Sequence, residues 1–175
     1  MGVKELKHYS YDEFLKLNTD ETKRMEFIFG EIYMMAGASA IHQKIVGNIF
    51  FHLRSKNKTN CDLMIAPFDV RLRADNQINV VQPDVMIFCE ENLCAVFEVL
   101  SKSTAYKDKK IKKRLYKQAK IKEYFIIDGA NKIVEKFTLI NDEYKLEVFG
   151  EDDEMEIKCL NITLKVNLFF EGIKD

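Results

Sequence analysis

The chain has 175 residues, 47% of them hydrophobic, and 27 Lys and Arg against 28 Asp and Glu give it a formal net charge of −1. That length fits one domain burying about two-thirds of its unfolded surface, and two prolines and seven glycines leave no linker or low-complexity segment. The near-zero charge argues against strong non-specific binding to duplex nucleic acid, and no apolar run reaches the ~18 residues of a membrane-spanning helix.

Met1 to Glu5 lack the apolar stretch of a signal peptide, so a cytoplasmic location is the default expectation. Ser10-Tyr11-Asp12-Glu13 has the form of a capping box and predicts a short helix from Ser10 through Leu17. Glu26 to Met35 reads as a strand pair broken at Gly30, with Phe27, Ile32 and Tyr33 as core candidates. Glu26 and Glu31 read equally well there as exposed strand charges. Gly37-Ala38-Ser39 opens a helix to about Lys56, whose four-spaced stripe is Ile41, Ile45, Ile49 and Leu53. His42 and Val46 border that stripe, where a histidine is first read as structural.

Asn60 to Leu72 predicts a strand or strand pair bent at Pro67, with Val70 and Leu72 inward and Arg71 and Arg73 outward. A turn at Ala74 to Gln77 leads into one strand, Ile78 to Phe88, carrying Asp84. The next apolar run, Cys94 to Leu100, holds a single charge, Glu98. Burying a carboxylate costs several kcal/mol unless it is compensated. Each acid taken alone is most simply a lysine salt bridge or a strand end reaching water. If the two strands adjoin, one divalent cation compensates both, and two carboxylates with waters suit magnesium.

From Lys102 to Lys122 there are ten Lys and Arg residues against one acid, Asp108. Ile111, Leu115 and Ala119 fall four apart as the expected buried stripe, with Asp108, Lys112 and Tyr116 on the adjacent one. Lys112 then sits beside the core, where its stem could carry the ammonium toward a phosphate. Lys109, Lys110, Lys113, Lys117 and Lys120 read as a solvated basic face.

Glu123 to Asp128 predicts a buried strand after a right-handed crossover. Lys132 to Ile140 and Tyr144 to Phe149 form a hairpin through Asn141-Asp142, and Glu151 to Glu154 an acidic loop. The apolar stretch Ile157 to Phe170 is expected to dock on the core or on a partner subunit, which makes a homodimer an open expectation. Cys61, Cys89, Cys94 and Cys159 contain no Cys-x-x-Cys pair and read as small buried thiols.

Several pieces, in order, carry a family resemblance: Met25 to Tyr33, His42, Pro67 to Leu72, Val81-Gln82-Pro83-Asp84, Phe97 to Thr104, Asp108 with Lys112 and Tyr116, and Glu123 to Asp128. The chain resembles the Uma-two family of bacterial proteins, a branch of the PD-(D/E)XK nuclease superfamily. The resemblance implies an α/β, restriction-endonuclease-like fold with a central mixed β-sheet flanked by helices, formed as a single domain over 1–175. It implies Asp84 and Glu98 as ligands of magnesium or manganese, Lys112 serving the nucleophile and Glu26 as the upstream acid. Glu31, His42, Gln82, Asp108 and Tyr116 are implied as substrate contacts or neighbours of the ligands. Leu100 stands where the superfamily places its lysine, so Lys112 is a lysine moved onto the helix. Phe29, the short segment Cys89 to Leu93 and Lys102 also depart from the family pattern. The expected activity is metal-dependent hydrolysis of phosphodiester bonds, with nucleic acid, above all DNA, as partner. The alternatives are a catalytically silent nucleic-acid or protein-binding domain, or a transposon-derived remnant with a rarely used site.

Overall fold

The computed structural model describes residues 7–19, 23–35, 37–101 and 105–173. Two units emerge, one of Met1–Gly37 with Asp69–Gln82 and one of Ala38–Phe68 with Pro83–Asp175. In chain order the strands are β1 (Met25–Ile28), β2 (Glu31–Met34), β3 (Asp62–Ile65), β4 (Val70–Ala74), β5 (Gln77–Val81) and β6 (Val85–Cys89). They continue as β7 (Asn92–Val99), β8 (Glu123–Asp128), β9 (Ile133–Ile140), β10 (Glu143–Phe149), β11 (Glu154–Ile157) and β12 (Ile162–Lys165). The helices are α1 (Tyr11–Leu17), α2 (Ala40–Lys56) and α3 (Lys113–Gln118), the last preceded by a π-helical segment, Lys107–Lys112.

In the first unit the capping box closes as its spacing predicts: the Glu13 amide donates to Ser10 Oγ, and the Ser10 amide to the Glu13 carboxylate. Helix α1 lays Phe14 on Phe27, ring centroids 5.1 Å apart, over a small core with Met25 and Val80. The sheet is antiparallel, in the order β2-β1-β5-β4. Ile32 and Tyr33 are only half-buried because β2 is its edge strand. Gly30 turns the chain at φ +82°, and a Cβ there would stand 2.8 Å from His8 Nδ1. Phe29 also has positive φ, and its amide is held by the buried Asn79 side chain at 2.8 Å.

The second unit carries the expected mixed sheet, in the order β10-β9-β8-β7-β6-β3, with β7 and β8 parallel and every other pairing antiparallel. Ser39 caps α2, which buries Ile45, Val46, Ile49 and Leu53 against β3, β6 and β7. Ile41, expected in that stripe, is half-exposed in the helix's first turn. Phe97 and Phe125 stack with centroids 4.2 Å apart on the parallel pair, and Phe169 meets Phe97 edge-on. The terminal apolar stretch thus docks on the chain's own core, where burying each large side chain is worth about 1.5–3 kcal/mol.

Two expectations are corrected. Ile78 to Phe88 is not one strand: it breaks at Gln82-Pro83-Asp84, leaving β5 in one sheet and β6 in the other. Pro83 has no N–H to offer a ladder, and the chain changes sheets there. The cysteines are not thiols either, since Cys61 is bonded to Cys89 and Cys94 to Cys159. Sheet pairing brings the first pair together, with Asp62 opposite Phe88, so spacing along the chain held no sign of it.

Candidate active site

Antiparallel register sets the centre of the site. Val85 lies opposite Phe97, so Asp84, just before β6, falls beside Glu98 near the end of β7, and the Val99 amide donates to Asp84 Oδ2 at 2.8 Å. The condition that the two acidic strands adjoin is met.

Glu98 is buried, and its Oε1 accepts from Lys112 Nζ at 2.8 Å and from Tyr116 Oη at 2.7 Å. Lys112, only 2% exposed, also lies 3.8 Å from Asp108 Oδ1. Tyr124 donates to the Asp108 carbonyl at 3.1 Å, and burial pushes its phenol well above the usual tyrosine range. The lysine salt bridge that each acid alone suggested is therefore present at Glu98.

The helix departs in part from the predicted assignment of its faces. Leu115 is buried as expected, but Asp108, Lys112 and Tyr116 of the adjacent stripe are buried too, while Ile111 and Ala119 are half-buried. The Lys107–Lys112 turns are π-helical, and the burial of the polar stripe follows from Glu98, which gives the buried Lys112 cation and the Tyr116 hydroxyl a partner.

Asp84 is paired with His42 from α2, whose Nε2 lies 3.2 Å from Asp84 Oδ2. The hydrogen bond to Asp84 holds the imidazole pKa above its ordinary value, against burial, which lowers it. His42 Nδ1 is buried without a hydrogen-bond partner among the described residues.

The basic run is less of a solvated face than its composition suggests. Lys109 pairs with Glu135, Lys117 with Glu143 and Lys120 with Asp142, and Lys113 Nζ stands 4.8 Å from the centre of the Phe137 ring. Acids of the β9–β10 hairpin answer much of its charge. Lys102, Ser103 and Thr104 lie outside the described residues.

Glu26, Glu31 and Gln82 belong to the first unit. Glu26 is fully buried and accepts the Gln82 amide at 3.0 Å, so it is no exposed strand charge. Gln82 Nε2 donates to Asp69 Oδ1 at 2.7 Å, and Gln82 Oε1 is buried without a partner among the described residues. Glu31 accepts from the Tyr33 hydroxyl.

Sequence reasoning gave no role to Asp69, to Asn79, or to a second buried ion pair, Glu123 with Lys136. Only Lys136 left a signal: it alternates in phase with Val134, which points it inward from β9.

Among the described residues every cysteine is disulfide-bonded, and no group of three or more His, Cys, Asp or Glu side chains is arranged to hold a metal ion by itself. Asp84 and Glu98 nevertheless fit a hard cation in chemistry. Both are oxygen donors, the ligand class that suits magnesium and manganese.

Comparison with known proteins gives the family and the fold. Residues 11–168 match the family model Uma2, described as "Putative restriction endonuclease". The uncharacterized protein sll1609 of Synechocystis sp. (strain ATCC 27184 / PCC 6803 / Kazusa) is 32% identical over 165 residues, covering 86% of this chain and 93% of its own length. The uncharacterized protein slr1290 of the same organism is 23% identical, covering 94% and 92%. A crystal structure of a "putative nuclease belonging to DUF820" from Anabaena variabilis ATCC 29413 superposes with a TM-score of 0.71 at 19% identity, covering 92% of this chain and 97% of that one. The fold is the mixed α/β, restriction-endonuclease-like one, and the chain belongs to the Uma2 family.

Proposed function

We propose that this protein is a metal-dependent endonuclease, acting in the cytoplasm, that hydrolyses phosphodiester bonds of nucleic acid, DNA first of all. Asp84 and Glu98 would hold magnesium or manganese. The observation that carries this reading is their placement side by side at the ends of β6 and β7 with a buried lysine bonded to one of them. A divalent cation bound there supplies Lewis-acid charge to the phosphate and lowers the pKa of bound water.

The chain's own residues prepare the site. The Val99 amide and His42 fix Asp84, while Lys112 and Tyr116 fix Glu98, so both carboxylates are oriented before substrate arrives. Lys112 offsets the Glu98 charge in the resting protein and provides a cation for charge developing on the scissile phosphate. The lysines paired with Glu135, Glu143 and Asp142 contribute little non-specific attraction, so substrate binding depends on the site more than on a phosphate track.

One observation favours a second reading. Lys112 and Glu98 neutralise each other in near-complete burial, which also suits a silent binding domain that keeps the fold. Incubating single- and double-stranded DNA and RNA with magnesium or manganese separates the two. Cleavage that needs metal and disappears in Asp84→Ala supports the nuclease, and unchanged cleavage in Lys112→Ala removes the lysine from it. Binding that survives EDTA and Asp84→Ala, with no cleavage, overturns it.

A further inference from the structure

The four cysteines come from four separate elements or their ends: Cys61 just before β3, Cys89 at the end of β6, Cys94 on β7 and Cys159 in the turn Lys158–Leu160. All four line one cavity of about 490 Å³, together with Lys122 and Lys158. The sulfurs of Cys61 and Cys89 each lie 3.7 Å from the Cys159 carbonyl oxygen, and the Cys94 sulfur is bonded to that of Cys159. Two disulfides with no sequence motif in common thus meet at one place.

We propose that this cluster is a redox-gated site for zinc, closed as two disulfides and open as a four-thiolate cage. Each disulfide is opened by a dithiol reductant, which closes to its own disulfide as two electrons and two protons pass to the cysteine pair. The four thiols then release their protons to solvent as Zn²⁺ binds. Tetrahedral zinc with sulfur at about 2.3 Å spaces its ligands about 3.8 Å apart, so the separation within each pair widens by less than one atomic diameter. Alternative staggered rotamers let each cysteine side chain turn its sulfur toward a shared centre.

Four features of the surroundings support the site. Cys89 and Cys94 flank the β6–β7 turn with four residues between them, a spacing found in structural zinc sites. Lys122 and Lys158 line the cavity and favour thiolate over thiol. The amides of Lys158 and Cys159 are both held by the buried Glu123 carboxylate, at 3.1 and 2.8 Å, so the Cys159 turn stays in place whichever bonds the sulfurs make. Thr138, also in the lining, has a buried Oγ1 without a hydrogen-bond partner among the described residues, a donor available to a thiolate.

The test is zinc content. Full-length protein is reduced with a dithiol, loaded with Zn²⁺, desalted and analysed by elemental mass spectrometry, and cobalt-substituted protein is examined for the intense near-ultraviolet thiolate band. The expected result is about one zinc per chain, retained in Asp84→Ala and released when the folded wild-type protein is reoxidised with a diazene oxidant. The Cys94→Ser/Cys159→Ser protein should retain at least tenfold less. Reduced wild type that holds no zinc, or zinc that stays after reoxidation or vanishes in Asp84→Ala, overturns the proposal. Because the oxidation arm uses folded wild-type protein, the outcome does not depend on the variant folding.

Discussion

Among the described residues the second unit contains two buried lysines paired with buried carboxylates, and they are held differently. Glu98 receives the side-chain donors Lys112 and Tyr116, and stands beside Asp84 at the end of its strand. Glu123 receives Lys136 and two backbone amides, while Lys136 also donates to the Glu156 carbonyl at 2.7 Å. The second arrangement ties strands β8 and β9 to the β11 segment, and main-chain partners leave it nothing to exchange. The first can exchange its partners, because side chains rotate and a second acid adjoins. Burial of a charge pair therefore does not mark a site; the company it keeps does.

The sharpest way to break this comparison is catalytic. Glu98→Gln should reduce metal-dependent cleavage by more than about a hundredfold through loss of a ligand, whereas Glu123→Gln should change it less than about threefold where both proteins are folded. Equal losses in single-turnover cleavage would erase the distinction.

Stability should rank next. Lys136→Met leaves Glu123 buried without its cation and should cost about 3–5 kcal/mol in urea unfolding, most of it recovered in Lys136→Met/Glu123→Gln. Lys112→Met should cost a similar amount at Glu98, but magnesium should raise its melting temperature more than that of wild type, because the metal replaces the missing cation. A magnesium response equal to that of Lys136→Met would count against a metal at Glu98.

The Asp84–His42 pair adds a pH signature. His42 has a raised pKa in the folded chain, so its ion pair contributes fully below the unfolded value of about 6.5 and is lost as pH rises through the folded value. The stability gap between wild type and His42→Gln should be widest near pH 6 and shrink toward pH 9. A gap that widens with pH would reverse the assignment. The smallest effect should come from Lys117→Ala: its pairing with exposed Glu143 is worth under about 1 kcal/mol.

Local signals were legible wherever one segment suffices to set the physics. The Ser10 capping box, the Asn141-Asp142 hairpin, the inward Val70 and Leu72 and the buried Glu123–Asp128 strand all follow from patterns within one short segment. Asp84, Glu98 and Lys112 were also legible as candidates, because charges near apolar runs need an explanation, whereas His42 became one through the family resemblance alone. Polar character was the poorer guide to burial. Of the apolar stripe Ile111, Leu115 and Ala119 only Leu115 is fully buried, whereas Lys112 and Tyr116 are buried because Glu98 partners both.

By itself, then, the sequence determined element types, most inward faces and the family, since each depends on short-range pattern or on residue order. Tertiary structure alone decided which charges face one another. It put Lys112 on Glu98 rather than in solvent, His42 on Asp84, and the hairpin acids against the lysine run. It also split Ile78 to Phe88 between two sheets and brought four cysteines, up to 98 residues apart, to one cavity. Electrostatics and sulfur chemistry act over a few ångströms of space, a distance that separation along the chain does not encode.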